Sequence, residues 1–346
     1  MKVGKPLKAA LLRFVGKPLK IGDVEVPEVK PDEVLVKTKA CGICRTDLHL
    51  AEGVLNPGKL PLILGHEAAG VVEETGPDVE EWRKGDRVIP YRYFTCGKCR
   101  SCLSGSEEVC YAYRGQLGFN WDGGYAEYFK APERSLVKLP GTLSFQDGGT
   151  LACAGQTAYH AVKRRAELKL GETVLIMGAG GLGLQALQYA KLAGATVVIA
   201  DRSERKLEYA ANFNPDHALN LTSANFAEEV KRLTGGLGVD VVIDTTASSA
   251  VILNGLKTLR KLGKMILLGA SDEPLQGISS TLMLVNEYEI LGSRSSTKQE
   301  LMEAAAIAAS GKIKSIITET YQLDHINEAL EKLKRGEMIG RASLIF

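Results

Sequence analysis

Between residues 41 and 67 the sequence reads Cys41-Gly-Ile-Cys44-Arg45-Thr46-Asp47-Leu-His49 and then, after an intervening stretch, Leu-Gly-His66-Glu67-Ala-Ala-Gly. Thiolate and imidazole are the ligands that a borderline-soft ion such as Zn²⁺ prefers. A catalytic zinc takes three protein ligands and keeps a fourth position for water or substrate. Cys44 and His66 supply two ligands, with Cys41 competing for the first place, and the third must come from farther along the chain. Four other cysteines are gathered at Cys96, Cys99, Cys102 and Cys110, which leaves Cys153.

The gathered four form the second chemical feature. In Cys96-Gly-Lys-Cys99-Arg-Ser-Cys102 two overlapping C-x-x-C steps let the backbone wrap a single ion, and Cys110 closes the tetrahedron with no open position. The spacing predicts a structural zinc; an iron–sulfur cluster, which also takes four thiolates, is the alternative. Exposed free thiols at that density would invite oxidation. Seven cysteines in 346 residues, four of them so close together, argue for metal rather than a disulfide framework.

The third feature is Gly178-Ala-Gly180-Gly181-Leu182-Gly183, preceded by the apolar run 173–177 and followed by Leu184, Leu187, Ala190 and Leu192 at helical spacing. Strand, glycine turn and helix in that order form a dinucleotide fingerprint. The glycines allow close approach of a pyrophosphate to a helix N-terminus, whose N–H groups and dipole favour an anion. The next apolar run ends at Asp201, at the distance where a carboxylate accepts from a ribose 2′-hydroxyl. Such a carboxylate repels the 2′-phosphate of NADP and so favours NAD, although Arg202 and Arg205 lie close by.

Elements of two kinds must position these residues. Up to about residue 146 short apolar runs at 9–15, 33–40, 71–72, 87–90 and 125–130, separated by turn residues such as Pro27 and Pro31, predict an all-β domain that requires no regular helix. From Gly171 strands alternate with helices: helices at 203–212, 224–233 and 248–262, strands at 218–220, 239–244, 265–268 and 289–292. This alternation builds an α/β fold with a doubly wound parallel sheet of six strands. Helices at 298–309 and 324–334, with strands near Ile316 and Ser343, read as a return to the first domain. The expected division is a catalytic domain at 1–155 with a C-terminal return at 293–346, and a nucleotide domain at 156–292. The pentapeptide Gly-Lys-Pro-Leu-Lys at 4–8 and 16–20 is a coincidence, its period too short for a stacked repeat.

Composition narrows the function classes. An apolar fraction of 45% and a charged fraction of 24% are those of a soluble globular protein, and a net charge of +2 gives no electrostatic case for nucleic acid or an anionic membrane. No run approaches the roughly 20 apolar residues of a membrane span, and no targeting segment is evident, so a cytoplasmic address is expected.

Taken together, Gly42-Ile-Cys44-Arg-Thr46-Asp-Leu-His49, Gly65-His66-Glu67, the four-cysteine lobe, Asp122-Gly-Gly-Tyr-Ala-Glu-Tyr128, Cys153-Ala-Gly-Gln-Thr157, Gly178 to Gly183 and Gly340-Arg341 resemble the zinc-containing medium-chain alcohol dehydrogenases over nearly the whole length. The resemblance implies a GroES-like catalytic domain built from both ends of the chain around a Rossmann domain, and two zincs per chain. It implies that Cys44, His66 and Cys153 hold the catalytic zinc while Cys41 only packs, and that Glu67 approaches the metal as an alternative fourth ligand. Asp47 would orient the His66 ring, as metal-bound imidazoles require. Thr46 would take the proton of a zinc-polarised alcohol and hand it on, by way of the ribose hydroxyls, to His49. Arg45 and Arg341 would pair with the cofactor pyrophosphate, and Thr157 would pack against the nicotinamide. His160, His217 and His325 match no motif, whereas Tyr91, Arg92, Phe94 and Trp121 lie in stretches available to line a substrate pocket, with nothing in the sequence to rank them.

The implied activity is reversible hydride transfer between a primary or secondary alcohol and NAD by a homo-oligomer, a tetramer rather than a dimer. A polyol or threonine dehydrogenase of the same family is the near alternative, disfavoured because that group usually carries a carboxylate at the position of Cys153. Zinc-free quinone or enoyl reductases lack all three ligands. From a different class, a zinc-stabilised NAD sensor without turnover shares the fold, but it has no need of Thr46 and His49.

Overall fold

The computed structural model describes residues 6–346, so the first copy of the pentapeptide begins outside the described residues. The chain divides into two compact units. One comprises the residues up to Cys153 with Thr297–Gly311 and Ile317–Phe346; the other comprises Ala154–Ser296 and Lys312–Ile316.

The first unit is β-rich. Its larger sheet runs in the order Ile317–Tyr321, Arg341–Ile345, Glu33–Ile43, Glu67–Thr75, Arg87–Pro90 and Leu136–Lys138, with Tyr128–Pro132 also paired to Glu33–Ile43. All pairings are antiparallel except that of Ile317–Tyr321 with Arg341–Ile345. A second sheet joins Lys20–Val24, Leu7–Leu12 and Leu62–Ile63. Their apolar faces bury Leu7, Leu12, Ile43, Leu50, Leu64, Tyr125 and Phe129 in one core. One register decides the chemistry: Gly42 lies opposite Glu67 on one side and opposite Ser343 on the other. Three strand ends distant in sequence thereby deliver Cys44, Glu67 and Arg341 to one place.

This unit also contains a helix that the apolar pattern did not require, Arg45–Glu52. Its start is fixed locally. Cys44 has extended backbone and is the N-cap, and the Asp47 carboxylate accepts from the Cys44 N–H at 3.1 Å, satisfying a donor that the first turn leaves unpaired. Gly53, at a φ of 82°, ends it in the left-handed conformation. A shorter turn, Arg100–Leu103, sits within the cysteine lobe.

In the second unit six parallel strands run in the order His217–Asn220, Thr196–Asp201, Thr173–Met177, Val239–Asp244, Leu259–Leu267 and Glu289–Gly292. Thr173–Met177 is central, and the strand order reverses beside it, where open sheets of this type take ligands at their carboxyl ends. Two elements differ from the sequence reading. The helix expected to reach residue 262 is Ser249–Leu256, and the strand already begins at Leu259. Leu256, Leu259 and Leu262 mimic helical spacing, but Leu262, at a φ of 63°, is exposed. Ser280–Asn286 is a helix with no buried side chain, so it carries no apolar stripe to read.

Candidate active site

Cys44, at the start of the Arg45–Glu52 helix, and His66, beside the strand Glu67–Thr75, meet Cys153, which lies in a π-helical turn at Leu151–Gly155. One ligand atom from each of Cys44, His66, Glu67 and Cys153 falls within 4.8 Å of the others, and all four residues are buried. Asp47 sets the ring. Its Oδ1 lies 3.0 Å from His66 Nδ1 and accepts from the Gly65 N–H at 3.1 Å, while its Oδ2 accepts from Cys44 N–H and from the Tyr125 hydroxyl, each at 3.1 Å. With Nδ1 turned to Asp47, the ring aims Nε2 into the cluster, where that atom is buried without a hydrogen-bond partner. An orphaned imidazole nitrogen between two sulfurs is costly unless an ion completes it. The donor set, two thiols and an imidazole, is one that zinc takes.

Electrostatics agree. The Cys153 thiol hydrogen-bonds to the Cys44 sulfur, which holds Cys44 well below the usual thiol range and, with burial, drives Cys153 well above it. Burial opposes an imidazolium at His66, but Asp47 and the Cys44 thiolate outweigh it and push the ring up to about 10. Burial pushes the Glu67 carboxyl up to about 7, against the pull of Arg341. The ring and one thiol thus hold protons that a divalent cation would displace.

Arg341 meets Glu67 with two donors, Nε at 3.1 Å from Oε2 and Nη2 against Oε1. The pair spans the intervening strand because residue 42 is glycine: a Cβ there would stand 2.1 Å from Glu67 Oε2. Arg45, exposed, donates to the Leu333 carbonyl at 3.1 Å. The structure therefore seats both arginines that the resemblance assigned to a pyrophosphate on protein partners, because a buried carboxylate at Glu67 requires a countercharge. Thr46 and His49 are half-buried and three residues apart, hence neighbours on one helix face. Cys41 belongs to neither ligand group; its sulfur is buried against Gly65 and Gly124.

The sulfurs of Cys96, Cys99, Cys102 and Cys110 approach one another at 3.5 to 4.0 Å. Corners of a regular tetrahedron about 2.3 Å from a central ion lie about 3.8 Å apart. That spacing fits one ion and leaves no room for an iron–sulfur cluster. Backbone N–H groups of Cys99, Cys96 and Ala112 donate to these sulfurs at 3.3 to 3.4 Å, as thiolates require.

In the second unit Gly178 adopts a φ of +104°, and a Cβ on Gly183 would stand 1.8 Å from the Gly178 carbonyl oxygen. Around Gly180, the N-cap of the Gly181–Leu192 helix, a Cβ would meet nothing within 4 Å, which leaves the N-terminal groups of Gly181 and Leu182 open to an anion. Asp201 ends its strand buried, and its two oxygens accept from Ala179 N–H at 2.8 Å and Ser203 N–H at 2.9 Å. Each retains a lone pair for a ribose hydroxyl. The Thr157 hydroxyl is buried without a partner. Sequence reasoning assigned no role to Tyr125 or Gly42, although both stand inside quoted motifs; what they do depends on cross-strand register.

Residues 30–141 match the family model of the alcohol dehydrogenase GroES-like domain, and residues 181–310 that of zinc-binding dehydrogenases. An alcohol dehydrogenase of Geobacillus stearothermophilus is 41% identical over 98% of this chain and 99% of its own length. An NAD-dependent alcohol dehydrogenase of Sulfurisphaera tokodaii is 36% identical over 98% and 100%. Among solved structures, the alcohol dehydrogenase of the hyperthermophilic archaeon Aeropyrum pernix superimposes with a TM-score of 0.91 at 37% identity, covering 98% of this chain and 100% of that one. Matched domains at both the metal-ligand and nucleotide motifs, with similarity along the full length, make the chain a member of the zinc-containing alcohol dehydrogenases of the medium-chain dehydrogenase/reductase superfamily.

Proposed function

We propose that the protein transfers hydride reversibly between a small primary or secondary alcohol and NAD, giving an aldehyde or ketone. The observation that carries this reading is the bare, buried Nε2 of His66 between two thiols, with Asp47 fixing the opposite ring nitrogen. A zinc ion held by Cys44, His66 and Cys153 supplies a Lewis acid that stabilises negative charge on a substrate oxygen. The residues do the rest. Asp47 keeps the ring in its metal-binding tautomer, and burial of all four cluster residues excludes bulk water. Thr46 accepts the hydroxyl proton, and His49, three positions on along the helix, releases it to solvent. Glu67 stands with Oε1 3.9 Å from His66 Nε2, near enough to serve as an alternative fourth ligand.

The Gly178–Gly183 turn receives a pyrophosphate, Asp201 the adenosine ribose and Thr157 the nicotinamide side. A second zinc in the four-cysteine lobe serves structure alone. A cytoplasmic homotetramer is the assembly the resemblance supports, and no helix among the described residues is long and apolar enough to cross a membrane.

Initial rates with a panel of primary and secondary alcohols, each with NAD and with NADP, test the reading. NADH formation with NAD preferred is the expected result. Tight NAD binding with no oxidation of any alcohol would leave the sensor alternative instead.

A further inference from the structure

We propose that Arg92 sets substrate specificity, its guanidinium receiving a carboxylate on the substrate, so that short hydroxy acids and their oxo acids are preferred over uncharged alcohols of the same size. The inference rests on the alcohol-oxidising reading above. Arg92 follows the strand Arg87–Pro90 and is 8% exposed. Nη1 donates to Cys153 Sγ at 3.2 Å and Nη2 to the Tyr93 hydroxyl at 3.3 Å, while Nε is buried without a partner. Two donations thus answer a group that carries five N–H donors. The Tyr93 ring, 5.2 Å from the guanidinium carbon, orients the fork but contributes no net charge.

Among the described residues no carboxylate forms an ion pair with Arg92. The nearby acids have other partners: Glu67 is held by Arg341, and Asp47 by His66, Tyr125 and the N–H groups of Cys44 and Gly65. Once Cys44 and Cys153 share a divalent cation, their negative charge is spent on it. Arg92 then remains a buried cation without a counterion, an arrangement that is costly unless an anion completes it. A planar fork with spare donors matches a carboxylate. Its place against the sulfur of a metal ligand limits the reach to an acid whose carboxylate lies one or two carbons from the carbinol. The oxidation balances without further reactants: the carbinol C–H bond breaks with its electron pair passing to NAD, the hydroxyl proton leaves by Thr46, and the carboxylate is unchanged.

The test compares kcat/KM for lactate against 2-propanol, and for 3-hydroxybutyrate against 2-butanol, in the wild type, Arg92→Leu and Arg92→Lys, with zinc content measured for each protein. The wild type is expected to favour at least one acid over its neutral partner. Arg92→Leu should lower that acid-to-alcohol ratio by about 100-fold, because it removes the donors that pair the charge; Arg92→Lys, which keeps the charge without the fork, should fall between. Calorimetric binding of propionate and propionamide to the wild type with NAD present gives a readout that needs no variant, with propionate expected to bind more tightly. A wild type that prefers neither acid, or a ratio unmoved in Arg92→Leu at full zinc content, overturns the proposal and leaves Arg92 acting on Cys153 alone. Oxidation of none of the four compounds, while other alcohols of the wider panel are oxidised, overturns the proposal and leaves the dehydrogenase reading standing; oxidation of no alcohol in that panel would remove the reading as well.

Discussion

At the residue scale the site depends on how few groups do how much. Asp47 accepts four hydrogen bonds from a fully buried position, capping a helix with one oxygen and orienting an imidazole with the other. Asp47→Asn is therefore expected to weaken catalytic zinc binding by about 10–100-fold, read by competition with a chelator. An unchanged affinity would show that the ring is held by packing alone. The ligand types were legible in the sequence, but the choice between Cys41 and Cys44 was not a matter of spacing. Cys41 is still within the Glu33–Ile43 strand, paired with Ala68, whereas Cys44 leaves it to start a helix. The Arg92 contact was not legible either, since it joins residues sixty-one apart in sequence.

At the element scale, register carries the information that composition lacks. Gly42 is opposite Glu67 and lets its side chain pass across the strand to Arg341, so Gly42→Ala forces that buried pair apart. A loss of about 3 kcal/mol in denaturant unfolding is expected, the scale of breaking a buried ion pair. Gly22→Ala, at a position with nothing within 4 Å, should cost little and serves as the control. Equal effects of the two substitutions would refute the cross-strand account. The parallel strands were readable because continuous apolar runs bounded by turns mark a sheet buried on both faces. The Arg45–Glu52 helix was hidden because eight residues carry little periodicity; its signals were the Asp47 cap and Gly53. Nothing in local sequence marks the π-helical turn that carries Cys153.

At the scale of the whole molecule, surface ion pairs add a pH-dependent term apart from the metal chemistry. The Arg114 hydrogen bond holds the Asp32 carboxyl below its usual value of 3.8, with partial opposition from burial. A depressed folded-state value means that the stabilisation is present above 3.8 and is lost as pH falls through the lower folded value. Asp32→Asn should accordingly lower Tm at neutral pH, and the difference from wild type should shrink as pH falls below the usual carboxylate value and through the lowered one. A difference independent of pH would remove the carboxylate from the explanation. The two kinds of fold were legible because each part of the sequence keeps its own texture, alternating strands in one and strand–helix units in the other.

In the proposed mechanism Cys44, His66 and Cys153, not Cys41, hold the reactive zinc. Metal content per chain of the wild type, Cys44→Ser and Cys41→Ser tests it most directly. The expected result is about two zincs in the wild type and in Cys41→Ser, and about one in Cys44→Ser, with alcohol oxidation abolished in the last protein only. Full zinc content and activity in Cys44→Ser, with one zinc lost from Cys41→Ser, would contradict it.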